Sequence, residues 1–222
     1  MRYLALALFA EGPTDHAFLR PLLRRLCETV CAENGRAPIE VGDVLELHSP
    51  TGATEEDRGT RVFLAASEAA AGWHILFVHT DGAGDPEAAW RERVEPACGR
   101  IRNGLPVGEH RPVGVVPVRE TEAWALANGN ALRDVFGTNA EDGELGIPVV
   151  PKDVEVVADP KRALEAAYAA AQGGRKGRRR RKAASLLEVL GERVRLSVLA
   201  GVPAFATLRA NLQTALAESN YL

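Results

Sequence analysis

Cysteine is scarce: three in 222 residues, an odd number without paired spacing, which argues against a disulfide framework and fits a reducing, cytoplasmic setting. Cys27 and Cys31 stand one helical turn apart, but a structural zinc needs about four ligands. No His or Cys cluster lies near them, so they read as small buried hydrophobes. Aromatics are also few, 5% of the chain, leaving Trp90, Trp124 and Tyr221 as the visible interface anchors. No apolar run approaches the roughly 20 residues that cross a bilayer. The early run LALALFA meets Glu11 with no basic region or small-residue cleavage site, so neither a membrane helix nor a signal peptide is expected. No internal repeat is visible.

What is present is enough for a proper core, since 46% of the side chains are hydrophobic. The net charge of −3 conceals an asymmetry. Seven of the 27 basic residues, Arg175, Lys176, Arg178, Arg179, Arg180, Arg181 and Lys182, fall in one acid-free segment from Gly173 to Lys182. Without them the body carries a charge of −10 and would not attract nucleic acid by its overall field. The basic run either holds nucleic-acid phosphates through counterion release or is a solvated, glycine-containing loop. It lacks interleaved aromatics, which argues against sequence-specific reading of bases.

Strand-like and helix-like segments alternate. Residues 2–10 read as a first strand, followed by a helix whose Phe18, Leu22, Leu26 and Val30 recur at helical spacing, with Pro21 marking a kink or a later start. Further strands are expected at 39–48, 74–80 and 112–118, with helices over 55–71 and from Asp85 to Arg102. This order predicts an α/β chain with a four-stranded parallel sheet, right-handed crossovers and flanking helices. The sheet domain spans 1–128 and an irregular connector rich in Gly, Pro and Asp spans 129–158. A C-terminal helical portion over 159–222 opens at Asp159-Pro160 and continues with helices at 183–193 and 203–219.

Acidic residues gather where strands end. Glu11 and Asp15 follow the first strand, Asp81 and Asp85 the third, and Glu120 and Glu122 the fourth. In an open α/β sheet the ligand crevice lies at the carboxyl ends of the strands, so these carboxylates can share one site. Together they would repel one another unless a cation sat among them, and an all-oxygen site suits Mg²⁺ or Mn²⁺, whose usual work there is phosphoryl chemistry. Taken alone, each motif also reads as a turn with a helix cap. Glu120 and Glu122 reach one site together only if the fourth strand continues to Glu122; otherwise one binds metal and the other caps. His79 is the histidine nearest this region.

The segments EGPTD (11–15), the strand-terminal Asp81 with its glycine-rich acidic turn, and ETEAW (120–124) together resemble the TOPRIM fold of topoisomerases, bacterial primases and OLD-family nucleases. ETEAWALA, ADPKRAL and GVPAFATL, in that order, resemble a family of small standalone TOPRIM-like bacterial proteins met beside ATPase genes in phage-defence loci. The resemblance spans nearly the whole chain. It implies a Rossmann-like four-stranded parallel sheet and a metal site built from Glu11, Asp15 and Asp81, with Glu120 and Glu122 as added ligands. The usual second motif is Asp, any residue, Asp; here the next acid after Asp81 is Asp85, which either swings in or leaves the site one ligand short.

The expected activity is a Mg²⁺- or Mn²⁺-dependent nuclease acting on DNA or RNA, an effector of phage defence. Glu11 serves there as ligand or general base, Asp81 as metal anchor, and Lys161 or Arg119 as the group stabilising phosphoryl charge. The alternative is a degenerate, non-catalytic TOPRIM module that docks on an ATPase partner. A phospho-acceptor receiver domain is the weakest reading, because only Asp81 fits that pattern.

Overall fold

Alternation along the first strand decides which of two cores each side chain joins. In β1 (Arg2–Phe9), Leu4, Leu6 and Leu8 enter one hydrophobic cluster while Ala7 and Phe9 enter the other, as a period of two on a pleated strand requires. The structure, a computed structural model, describes residues 2–53, 56–106, 110–173 and 182–222. β1, β2 (Ile39–Leu47), β3 (Ile75–His79) and β4 (Arg111–Val115) pair in parallel in the order β2-β1-β3-β4. The four-stranded parallel sheet expected from the sequence is therefore present. Its order reverses between β1 and β3, so the crevice beyond their carboxyl ends is the topological switch point where such sheets bind ligands.

One face is covered by α1 (Pro13–Asn34). Gly12 precedes it, Pro13 takes an early position where its missing N–H costs nothing, and the Gly12 amide donates to Asp15 Oδ2 at 3.1 Å. The helix runs unbroken through Pro21. The proline costs about 3 kcal/mol, whereas burying each Leu contributes about 1.5–3 kcal/mol, and Leu19, Leu22, Leu23 and Leu26 are all fully buried. Packing wins over the local defect.

The opposite face carries α2 (Arg58–Glu68) and α4 (Glu95–Gly104), whose Val62, Ala65, Ala66, Ala97, Cys98 and Ile101 close the second cluster. Asp57 caps α2 by accepting the Thr60 amide at 3.1 Å. The helix expected from Asp85 to Arg102 consists of α3 (Pro86–Ala89), a wide π turn (Trp90–Val94) and α4. Pro96 supplies no amide to the ladder there, and the widened turn sits directly before it.

β4 ends at Val115 rather than Val118. The carbonyls beyond it serve the turn after β3 instead: Gly82, Gly84 and Ala83 amides donate to Pro117, Val118 and Arg119 at 3.0, 2.7 and 3.3 Å. Only glycine permits this approach at position 82, because a Cβ there would lie 2.4 Å from the Pro117 carbonyl oxygen.

The remaining helices join the α1 cluster. They are α5 (Glu122–Leu126), α6 (Gly129–Phe136), α7 (Asp142–Leu145), α8 (Pro160–Ala171), α9 (Leu187–Arg193), α10 (Leu196–Leu199) and α11 (Pro203–Glu218). Trp124 on α5 meets Phe205 on α11 edge to face at 5.3 Å, both fully buried. The stretch 129–158, expected to be irregular, contains α6, α7 and a 3-10 turn at Pro151–Val156. Its glycines punctuate helices rather than replace them: Gly137 and Gly146 adopt left-handed φ of 66° and 67° as the helix-ending residues of α6 and α7. Cys27, Cys31 and Cys98 are free and buried. No helix among the described residues is long and apolar enough to cross a membrane.

Candidate metal centre and the cleft beside it

Two of the acidic strand ends converge at the switch point. Asp15 comes from the first turn of α1, after β1, while His79 ends β3 and Asp81 follows it. Their ligand atoms all lie within 4.8 Å of one another, and this is the group of His, Cys, Asp and Glu side chains among the described residues that could hold a metal ion. Asp15 and His79 are buried and Asp81 is half-buried.

Thr121 knits the cluster together from the segment after β4. Its hydroxyl donates to Asp15 Oδ1 at 2.8 Å and lies 3.1 Å from His79 Nε2. With the hydroxyl proton on Asp15, the His79 contact requires the imidazole to carry its hydrogen on Nε2. The other tautomer, with the hydrogen on Nδ1, would give up the Thr121 contact and offer Nε2 as a third ligand. Asp81 Oδ1 lies 3.4 Å from the same nitrogen but is buried without a hydrogen bond, as is His79 Nδ1. A buried carboxylate oxygen without a donor is costly. A divalent cation between Asp15 and Asp81 would satisfy it, so the donor set fits a metal.

Glu122 is buried at the first position of α5. Burial pushes its carboxyl above the usual range, its own backbone amide partly offsets this, Asp15 and Glu120 push it further up, and Lys161 draws it down. Glu120 turns elsewhere and accepts the Lys161 backbone amide at 3.2 Å at the start of α8. Because β4 stops early, the extended arrangement that would aim both glutamates alike is absent. Glu122, rather than Glu120, is the first-turn acid of α5.

The other expected site residues have distinct places. Asp85 does not join the cluster; its Oδ1 caps α3 by accepting the Ala88 amide at 2.9 Å. Glu11 also stands outside it, with Oε1 accepting from Thr80 Oγ1 at 2.6 Å and lying 3.4 Å from both Arg58 and Arg93. Lys161 is exposed and Arg119 half-buried, with its guanidinium beside the Gly84 backbone. Arg175, Lys176, Arg178, Arg179, Arg180 and Arg181 lie outside the described residues, while Lys182 stands just before the 3-10 turn at Ala183–Leu186.

From the sequence His79 stands near the site without a role in it, and Thr121 as the connector carries no signal. Sequence reasoning also missed a cleft of about 540 Å³ beyond β1 and β2, lined by Glu11, His48, Ser49, Arg58, Arg61 and Arg93. A neighbouring cleft of about 380 Å³ contains the buried His16, whose ring faces His48 at 5.2 Å. Burial lowers the affinity of His16 for a proton. Only the positions of His48 and Ser49, at the end of a strand-like run, hinted at this side of the crevice. Comparison with protein-family models, curated proteins and solved structures gives no match to the chain.

Proposed function

We propose that this chain is a Mg²⁺- or Mn²⁺-dependent phosphodiesterase of TOPRIM type acting on DNA or RNA. One observation carries the reading: Asp81 Oδ1, buried and without a donor, faces His79 and Asp15 at the switch point of a parallel sheet. Asp15, His79 and Asp81 would hold the ion, and a bound ion supplies water activation and neutralises charge on the phosphoryl group. Hydrolysis forms one P–O bond from water and breaks one P–O ester bond, and the leaving oxygen takes up the proton that the water sheds. Thr121 fixes the orientation of Asp15, and the buried start of α5 lies beside it. Lys161 and the Arg175–Lys182 run are candidates for holding nucleic-acid phosphates, and the effector role in phage defence belongs to the same reading. The imidazole nitrogen shifts the expected preference from Mg²⁺ towards Mn²⁺.

The test is cleavage of supercoiled plasmid, single-stranded DNA and total tRNA in Mg²⁺ or Mn²⁺. Metal-dependent cutting that disappears in Asp81→Asn and Asp15→Asn supports the proposal; cutting that survives in both contradicts it. The capping role of Asp85 favours a second reading, a non-catalytic TOPRIM module working with an ATPase partner, since the second acidic motif then contributes a single carboxylate. That reading expects no cutting and stable co-purification with the ATPase.

A further inference from the structure

Beside the metal cluster, three guanidinium groups face one carboxylate. Arg58 and Arg61 come from the start of α2 and Arg93 from the π turn, and all three line the 540 Å³ cleft with Glu11. Glu11 cannot satisfy them. Its short hydrogen bond, 2.6 Å, goes to Thr80, and its contacts to Arg58 and Arg93 are both 3.4 Å. Ion pairs of that length at a partly exposed carboxylate contribute little. The Nε atoms of Arg58 and Arg61 are buried and have no hydrogen-bond partner. Burial disfavours the Arg58 charge, Glu11 supports it, Arg93 and Arg61 disfavour it further, and Asp81 gives a smaller support. A guanidinium nevertheless remains protonated at any physiological pH, so the cleft, lined by three arginines and one carboxylate, retains an excess of positive charge.

We infer that Arg58, Arg61 and Arg93 form a binding pocket for a phosphate group of the substrate, adjoining the metal centre. Guanidinium forks match phosphate oxygens in geometry and charge. The pocket and the cluster are physically joined: an Arg58 terminal nitrogen donates to the His79 carbonyl, and Thr80, between His79 and Asp81, donates to Glu11. A phosphate in the cleft would lie beside the strand ends that carry the cluster, and His48 and Ser49 also line the cleft. The inference deepens the phosphodiesterase reading and rests on it for the identity of the substrate. The shared ligand chemistry is the phosphate group itself, whether a terminal monoester or an internal diester of a nucleic-acid strand.

The test is fluorescence anisotropy of a 3′-labelled oligothymidylate, with either a 5′-phosphate or a 5′-hydroxyl, binding to the whole chain in EDTA. Variants are Arg61→Gln with Arg93→Gln, Arg58→Lys, and Asp81→Asn. The double variant should bind at least about tenfold more weakly and show a salt dependence shallower by about one in log–log slope or more. Arg58→Lys, which keeps the charge and loses the fork, should show an intermediate loss. A larger loss for the 5′-phosphorylated strand assigns the pocket to a terminal monoester, and equal losses assign it to internal diesters. Unchanged affinity and unchanged salt slope in folded Arg61→Gln/Arg93→Gln and in Arg58→Lys would overturn the pocket. Asp81→Asn separates the two readings. It should lose Mn²⁺ binding by calorimetry while keeping the oligonucleotide; if Mn²⁺ binding persists, the metal-centre reading falls and the pocket stands on the arginine variants.

Discussion

The Thr121 hydroxyl stands between Asp15 Oδ1, at 2.8 Å, and His79 Nε2, at 3.1 Å, so a residue following β4 holds together side chains delivered after β1 and at the end of β3. Three strand ends meet through one oxygen atom.

Thr121→Val keeps the shape and replaces that hydroxyl with a methyl group. The variant should lose about 1–3 kcal/mol of stability, because Asp15 and His79 are both left buried with a partner missing. Its affinity for Mn²⁺ should fall about tenfold or more, as expected when an outer-shell partner is removed. Urea unfolding with and without Mn²⁺ measures both quantities; a variant that matches wild type in each would show that Thr121 does not organise the cluster.

Gly82→Ala should destabilise the chain by about 1–3 kcal/mol through overpacking, because the new Cβ would meet the Pro117 and Val118 carbonyl oxygens at 2.4 and 2.6 Å. These are backbone atoms and cannot swing aside. A thermal melt checks the loss. The companion variant Gly143→Ala, with open space at its Cβ position, should melt much closer to wild type.

Phe205→Ala should cost about 3–5 kcal/mol although Phe205 lies far along the chain from the sheet, because its ring closes on Trp124 in the same cluster as β1 and α1. Fluorescence and circular dichroism should still report one coincident unfolding transition. Two separated transitions would show that the C-terminal helices unfold independently of the sheet.

The buried thiols set an alkaline limit. Burial raises Cys31 and Cys98 to about 11, against about 8.5 for a free thiol. The folded state thus keeps protons that the unfolded state gives up. Stability from these groups is fully present below the unfolded value and declines as pH rises from about 8.5 through 11. Denaturant midpoints at pH 7, 9 and 10.5 should fall in that order, and Ellman's reagent at pH 8 should titrate the thiols only after denaturation. Rapid titration of the native protein would contradict the burial.

Much of the fold could be read from the residues. LALALFA and HILFVHT stand out as strands, Asp159-Pro160 marks a helix start, and the strand–helix alternation indicates a parallel sheet. Local rules failed where distant contacts decide. Pro21 stays helical because four fully buried leucines outweigh it, and 129–158 forms helices because its glycines end them. The site was legible to the level of strand ends but not of atoms. Asp15 and Asp81 meet because β1 and β3 are neighbours in the sheet, which order alone can suggest. Asp85 and Glu120 turn away because helix amide groups claim them. Arg58, Arg61 and Arg93 carry no local signal, since their shared cleft exists only once α2 and the π turn pack on the same face of the sheet.

The most direct measurement is calorimetric titration of the purified chain with Mn²⁺, alongside Asp81→Asn and Asp85→Asn. Saturable binding is expected that Asp81→Asn abolishes and Asp85→Asn leaves intact, because Asp81 faces Asp15 and His79 while Asp85 caps α3. Binding that survives in Asp81→Asn, or no binding to wild type at all, would contradict a metal centre at this switch point.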